Sequence, residues 1–311
     1  MGYNILVTGC GGDIGQSIGK ILKSNTIFSS VLGCDLHDNH AGKFIFDECH
    51  TIVGCRSEGY LSDIEKIVIE HNIDLILPVS EPELRFLFGR GIDKLFNRPV
   101  IKANKESLKV GFDKLATANF LRDHALPYPN SVIIADLVDP FFPLILKSRD
   151  GSGSKNLYII TDKEDFNYYS KKFPGFLAQE MIGSEDDEYT CGLFRSLNGE
   201  VRSIIYKRKL VGGFSGYGSV EKDQAIKNLL EKIALGLNLR GSINVQLRTS
   251  SKGPCVFEIN PRFSSTVMFR HLMGFEDVIW SVQDTLSLPI DNYISSDKYS
   301  KFYKGYKEYV D

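Results

Sequence analysis

The chain has 311 residues, 42% hydrophobic and 24% charged, with a formal net charge of −2. That length exceeds one ordinary domain of about 100–200 residues and calls for two or three packed units. The composition excludes a disordered chain, the near-balanced charge offers no general attraction for nucleic acid, and no apolar run approaches the ~18–20 residues of a membrane helix.

The first residues, MGYNILVTGC, enter a strand with no basic or long apolar leader, and Leu6 stands where a myristoylation motif needs Ser or Thr. Cysteines at 10, 34, 49, 55, 191 and 255 form no CxxC pair, so they read as reduced thiols of a cytoplasmic protein. Asn4–Thr8, Ser30–Cys34, Asp74–Val79 and Arg98–Ile101 are short apolar runs, separated by stretches of helical spacing such as Ile14–Leu22 and Leu61–Glu70. Strands alternating with helices predict a parallel sheet, and continuous Ile/Leu/Val runs mark strands covered on both faces. Residues 1–105 form this unit.

At Lys105, ESLKVGFDKLATANFLRDHALPYP reads as two helical turns, a break at Gly111, a helix and a proline-rich exit. Short strands and glycine turns then predict a small lid at about 132–178, and from Glu188 longer strands flank a helix at Asp223–Leu237. The Lys/Tyr-rich tail, 291–311, receives no assignment.

The sharpest chemical signal is Asn244-Val-Gln246-Leu, a turn through Ser250–Pro254, then Val256-Phe-Glu258-Ile-Asn260-Pro-Arg262. Residues two apart on a strand share a face, so Glu258 and Asn260 point together, and a hairpin brings Gln246 beside them. A carboxylate with amide oxygens suits Mg²⁺ (or Mn²⁺), which shares its coordination with substrate phosphates. Arg262 then stabilises charge on a transferring phosphoryl group. A plain hairpin edge explains one polar residue, but not four inside apolar runs.

FEINPR after NVQL resembles the ATP-grasp superfamily, in its carbamoyl-phosphate-synthase-like and biotin-carboxylase-like branch. The resemblance covers roughly residues 105–280 and implies an α/β chain: a Rossmann-like (pre-ATP-grasp) domain, 1–105, then an ATP-grasp domain, 106–290, with a small α+β lid. It implies that Lys114 of Phe112-Asp-Lys114 and Lys147 of PLILK bind phosphates, under a glycine-rich loop containing Ser152, Gly153 and Ser154. Glu180, Met181 and Ile182 would read adenine and Glu188 the ribose. Lys207, in a basic and glycine-rich stretch, is assigned to the γ-phosphate region, with Ser215–Ser219 near substrate. Lys147, Asn260 and Arg262 would be catalytic, and Gln246, Glu258 and Asn260 would hold the metal. The implied activity is ATP-dependent ligation of a small-molecule carboxylate to an amine through an acyl phosphate, in a setting such as amino-acid or surface-polysaccharide metabolism. Neither nucleic acid nor a membrane is an implied partner, and a homodimer is an admissible assembly.

Two other readings compete. Thr8-Gly9-Cys-Gly-Gly12-Asp-Ile-Gly15 matches the TGxxGxxG turn of NAD-dependent nucleotide-sugar epimerases, with Asp35 after the next strand and a YxxxK spacing at Tyr168 and Lys172. That reading leaves FDK, PLILK and FEINPR without roles, whereas the ATP-grasp branch itself begins with a similar glycine turn. The third reading is a non-catalytic ATP-binding protein.

Overall fold

The computed structural model describes residues 2–151, 156–251, 253–294 and 300–310. The first unit holds a four-stranded parallel sheet in the order β3-β2-β1-β4, built from β1 (Tyr3–Thr8), β2 (Phe28–Asp35), β3 (Glu48–Thr51) and β4 (Leu75–Pro78). Helix α1 (Asp13–Lys23) covers one face and α2 (Tyr60–Glu70) the other. This double cover explains the unbroken apolar run of β1: Ile5 and Val7 enter the core under α1, whereas Leu6 enters the core under α2. β3, with the sequence ECHT, is an edge strand with too few apolar residues to register as one. The chain then forms α3 (Glu81–Gly89) and a small hairpin of β5 (Lys94–Leu95) and β6 (Arg98–Pro99), so only the first half of the run at 98–101 is strand.

Helices α4 (Lys105–Gly111) and α5 (Lys114–Asp123) follow, broken where expected. Asp113 caps α5, accepting from the Leu115 amide at 2.9 Å. The lid is a four-stranded sheet in the order β7-β10-β8-β9, from β7 (Ser131–Ile133), β8 (Leu144–Lys147), β9 (Leu157–Ile160) and β10 (Leu177–Glu180). Between β9 and β10 lies α6 (Lys163–Lys172), which makes the lid the α+β unit expected, although the local strand-and-turn pattern does not mark the helix. It is almost wholly polar, with Phe166 alone fully buried, and is started by the Asp162 cap.

A six-stranded antiparallel sheet completes the fold, in the order β15-β14-β11-β12-β13-β16. Its members are β11 (Glu188–Arg195), β12 (Val201–Val211), β13 (Phe214–Glu221), β14 (Gly241–Ser250), β15 (Gly253–Asn260) and β16 (Lys301–Tyr303). Helix α7 (Gln224–Gly236) packs with α5 on one face, against Cys191, Leu193, Ile205, Val245, Val256 and Ile259. On the other face Phe194, Ile204 and Tyr206 meet α8 (Val267–Leu272) and α9 (Asp277–Thr285) through Phe269, Met273, Phe275 and Trp280.

Helices α8 and α9 also close the core of the first unit, where Val267, Val278, Ile279 and Val282 join Ile5, Val7 and Ile18. The tail is not loose throughout its described part: Phe302 is buried against Tyr206 and Phe269, and Lys304 pairs with Asp13 at the start of α1.

Candidate active site

The site begins with an irregularity in β15. Gln246 faces Glu258 and Asn244 faces Asn260, but the next pair is Leu247 with Val256, so Phe257 is an extra residue. Val256 and Ile259 both reach the α7 core, which leaves Phe257 and Glu258 together on the opposite face. Such a bulge re-aims side chains where a regular strand would alternate them. The expected cluster of Gln246, Glu258 and Asn260 is therefore assembled on one face.

Two lysines converge on it from different elements. Lys114, the first residue of α5, lies 3.5 Å from a Glu258 carboxylate oxygen and donates to the Gly151 carbonyl at 2.8 Å. Lys147 ends β8 and donates to the Phe257 carbonyl at 3.3 Å. It is only 8% exposed, and burial pulls its pKa from 10.5 down to about 8, with Glu258 opposing the shift. Arg149 ties the lid to α5 by its ion pair with Asp113, and its carbonyl accepts from the Lys114 amide at 2.9 Å. Burial alone would raise the Asp113 pKa, but its hydrogen bonds with Arg149 and the Leu115 amide hold it below the ordinary value.

Arg262, half-buried beyond Pro261, donates to the Phe263 carbonyl at 2.9 Å. Burial lowers its pKa while the charges of Glu81 and Glu258 oppose that, so it stands in the field of both carboxylates.

Glu188 is also on this face, yet its carboxylate is fully engaged: Arg208 reaches one oxygen at 2.8 Å and Arg248 the other at 2.9 Å. Arg208 also donates to the Gln246 side-chain oxygen at 3.0 Å. Sequence reading overlooked both arginines, although Arg248 stands two residues after Gln246 and so shares its face. Lys207 is not brought into the group. It pairs in register with Tyr189, on the side of β12 opposite Arg208, and its ammonium lies 3.3 Å from Asp187. One position along a strand exchanges the two faces, and Arg208 takes the place expected of Lys207.

The segment Glu180, Met181 and Ile182 joins the lid to the central sheet. The Glu180 amide donates to the Asn130 carbonyl at 2.8 Å and its side chain accepts from the Asn130 amide at 3.1 Å. The Ile182 carbonyl faces Arg248, and Met181 is exposed. Ser152, Gly153 and Ser154 lie outside the described residues.

The glycine turn is closed on itself. The Gly11 amide donates to the Asp35 carboxylate at 2.8 Å, a Cβ on Gly11 would stand 2.7 Å from the His40 ring, and one on Gly15 would stand 2.2 Å from the Gly9 carbonyl. Asp35 is thus spent within the turn. Tyr168 and Lys172 meet at 3.0 Å on the polar lid helix α6, away from that turn. The epimerase reading finds no support here.

A family model described as an ATP-grasp domain matches residues 112–266, which spans both lysines, the lid and the Glu258 hairpin. The chain carries an ATP-grasp domain. A carbamoyl-phosphate synthase of Methanobrevibacter smithii is 27% identical over 214 residues, covering 64% of this chain and 56% of that protein. A tyramine–L-glutamate ligase of Methanocaldococcus jannaschii is 24% identical over 225 residues, covering 70% of this chain and 65% of that protein. Hence the chain spans less than two thirds of the length of either curated relative. Among solved structures, N5-carboxyaminoimidazole synthetase from Staphylococcus aureus complexed with ADP superposes with a TM-score of 0.73 at 15% identity, over 94% of this chain and 80% of that one. That likeness establishes the fold: a Rossmann-like domain followed by an ATP-grasp domain with its lid. No described helix is long and apolar enough to cross a membrane.

Proposed function

We propose that this ATP-grasp protein is an ATP-dependent ligase that joins a small-molecule carboxylate to an amine through an acyl phosphate. The observation that carries this reading is the convergence of Lys114 and Lys147 on Glu258 where the lid meets the central sheet. Two cations beside an oxygen-rich cluster suit a triphosphate whose terminal group is transferred.

Glu258 and Asn260 present oxygen donors on one face, with Gln246 beside them holding Arg208, a set that fits Mg²⁺ shared with phosphates and does not favour softer metals. Mg²⁺ held by Glu258 and Asn260, with Gln246 beside them, would offset phosphate charge. Lys114 and Lys147 orient the phosphates, and Arg262 meets charge on the transferring group. A carboxylate oxygen attacks the γ-phosphorus, the bond to the β-phosphate oxygen breaks, and ADP leaves. The amine then attacks the acyl carbon, phosphate departs and the amine loses a proton. Lid closure excludes the water that would hydrolyse the intermediate. Glu180–Ile182 is the adenine-reading segment in this proposal. Glu188 serves the nucleotide through the arginines it orients, or reaches a ribose once those arginines turn to phosphate. The ligase relatives support an amino acid as one substrate, and cysteines that form no CxxC pair fit a reducing cytoplasm.

The test is ADP release with panels of carboxylates and amines, using a heavy-oxygen label in the carboxylate. Transfer of that label into phosphate is expected. Glu258→Gln should reduce turnover by several orders of magnitude in a protein that still folds; near-normal ADP release from it removes the proposed metal site. ATP binding without ADP release for any pair would support a non-catalytic role instead.

A further inference from the structure

Glu48, His50 and His71 form a second cluster, shared by none of the groups around Glu258. Glu48 and His50 are two apart on the edge strand β3 and face the α2 layer, where Ile52, next in the same alternation, packs with Ile64 and Ile67. His71 is the residue that caps the C-terminal end of α2. A His50 ring nitrogen, Nε2, lies 3.5 Å from one Glu48 oxygen and the His71 Nδ1 lies 3.9 Å from the other. The two rings are 4.8 Å apart between centroids. The three residues can offer donor atoms all within 4.8 Å of one another.

The Nε2 atoms of both histidines are buried and make no hydrogen bond. A buried polar nitrogen that makes no hydrogen bond is costly, so two of them on neighbouring rings call for a reason. The 3.5 Å gap between His50 and Glu48 is longer than a good hydrogen bond. It is, however, the separation of two ligands around one ion, since metal–ligand bonds of about 2.0–2.2 Å at a tetrahedral angle hold donors about 3.4 Å apart. The carbonyl end of α2 adds negative potential at the same place.

We propose that Glu48, His50 and His71 bind a borderline divalent transition metal, of which Zn²⁺ is the representative, and that the ion braces β3 against the end of α2. Two imidazoles and one carboxylate suit such an ion, and the half-exposed Glu48 leaves room for water at the remaining position.

The experiment is calorimetric titration of the full chain with zinc chloride in excess Mg²⁺, added to saturate the proposed Glu258 site, together with thermal unfolding. One zinc ion per chain and a raised melting temperature are expected. His50→Ala and His71→Ala should each weaken that binding at least about tenfold and cancel the thermal gain. Glu48→Gln keeps the side-chain shape and should weaken binding as well, and a single cooperative thermal transition in all three variants without zinc shows that they fold. Absence of zinc binding overturns the proposal. So does zinc binding of undiminished strength in these variants, which would place the ion elsewhere, as at the Cys10, Asp35 and His40 group.

Discussion

Lys147 illustrates how one buried charge ties stability to the proposed phosphate site. Its ammonium sits almost out of water beside Phe257 and Glu258, with a pKa of about 8 against 10.5 when unfolded. Between those two values the unfolded chain holds a proton that the folded chain has released, so stability rises with pH across that window. Below about 8 both states are protonated and the full burial penalty is present. Lys147→Met should therefore raise the melting temperature at neutral pH, by a stabilisation on the order of 3 kcal/mol at most, and flatten the alkaline rise. The same variant should lose ATP affinity. In the intact protein, kcat/KM for ATP should fall as pH climbs through about 8, earlier than an exposed lysine would allow. A profile flat to pH 10 would separate the Lys147 charge from ATP binding.

At the scale of elements, close backbone approach sets the position of the end of β15. Gly111 ends α4, and a Cβ there would lie 2.6 Å from Pro261 and 3.0 Å from the Ile259 carbonyl. Gly111→Ala should push Pro261, and with it Arg262, out of place. The expected result is a loss of stability of about 1–3 kcal/mol and a larger loss of turnover. Gly89 provides the contrast, because it ends α3 and a Cβ there meets nothing within 4 Å. Gly89→Ala should be neutral or stabilising by up to about 1 kcal/mol, read as a rise in melting temperature with turnover unchanged.

For the whole molecule, α8 and α9 are the joint between the two halves, since they pack on α1 as well as on the large sheet. Their anchor is a buried ion pair: Arg270 lies 3.0 Å from Asp277, which also accepts from Ser242 at 2.6 Å, while Arg270 reaches Asn244 on β14. Burial raises the Asp277 pKa, and Arg270 and Ser242 oppose that shift. Removing one partner strands the other, so Arg270→Met should cost about 3–5 kcal/mol. Adding Asp277→Leu should return part of that loss, as a double-mutant cycle in denaturant would reveal. Additive losses would mean that the pair contributes nothing beyond its separate contacts.

The chain's local patterns were sufficient to determine the alternating strands and helices of the first unit, the break at Gly111, the helix after Asp223 and the hairpin that gathers Gln246, Glu258 and Asn260. Apolar periodicity and turn residues act over a few positions, and these features depend on nothing longer. The polar elements β3 and α6 escaped that reading because strand pairing holds β3, and α6 offers the lid core only Phe166 and Tyr169 from an otherwise polar helix. Only the tertiary structure decided that Arg208 and not Lys207 faces the site, that Glu188 is held between two arginines, that a bulge turns Phe257 beside Glu258, and that the tail adds a strand. Each of those outcomes depends on register between segments distant in the chain, and in a pleated sheet a shift of one residue reverses which side chains meet.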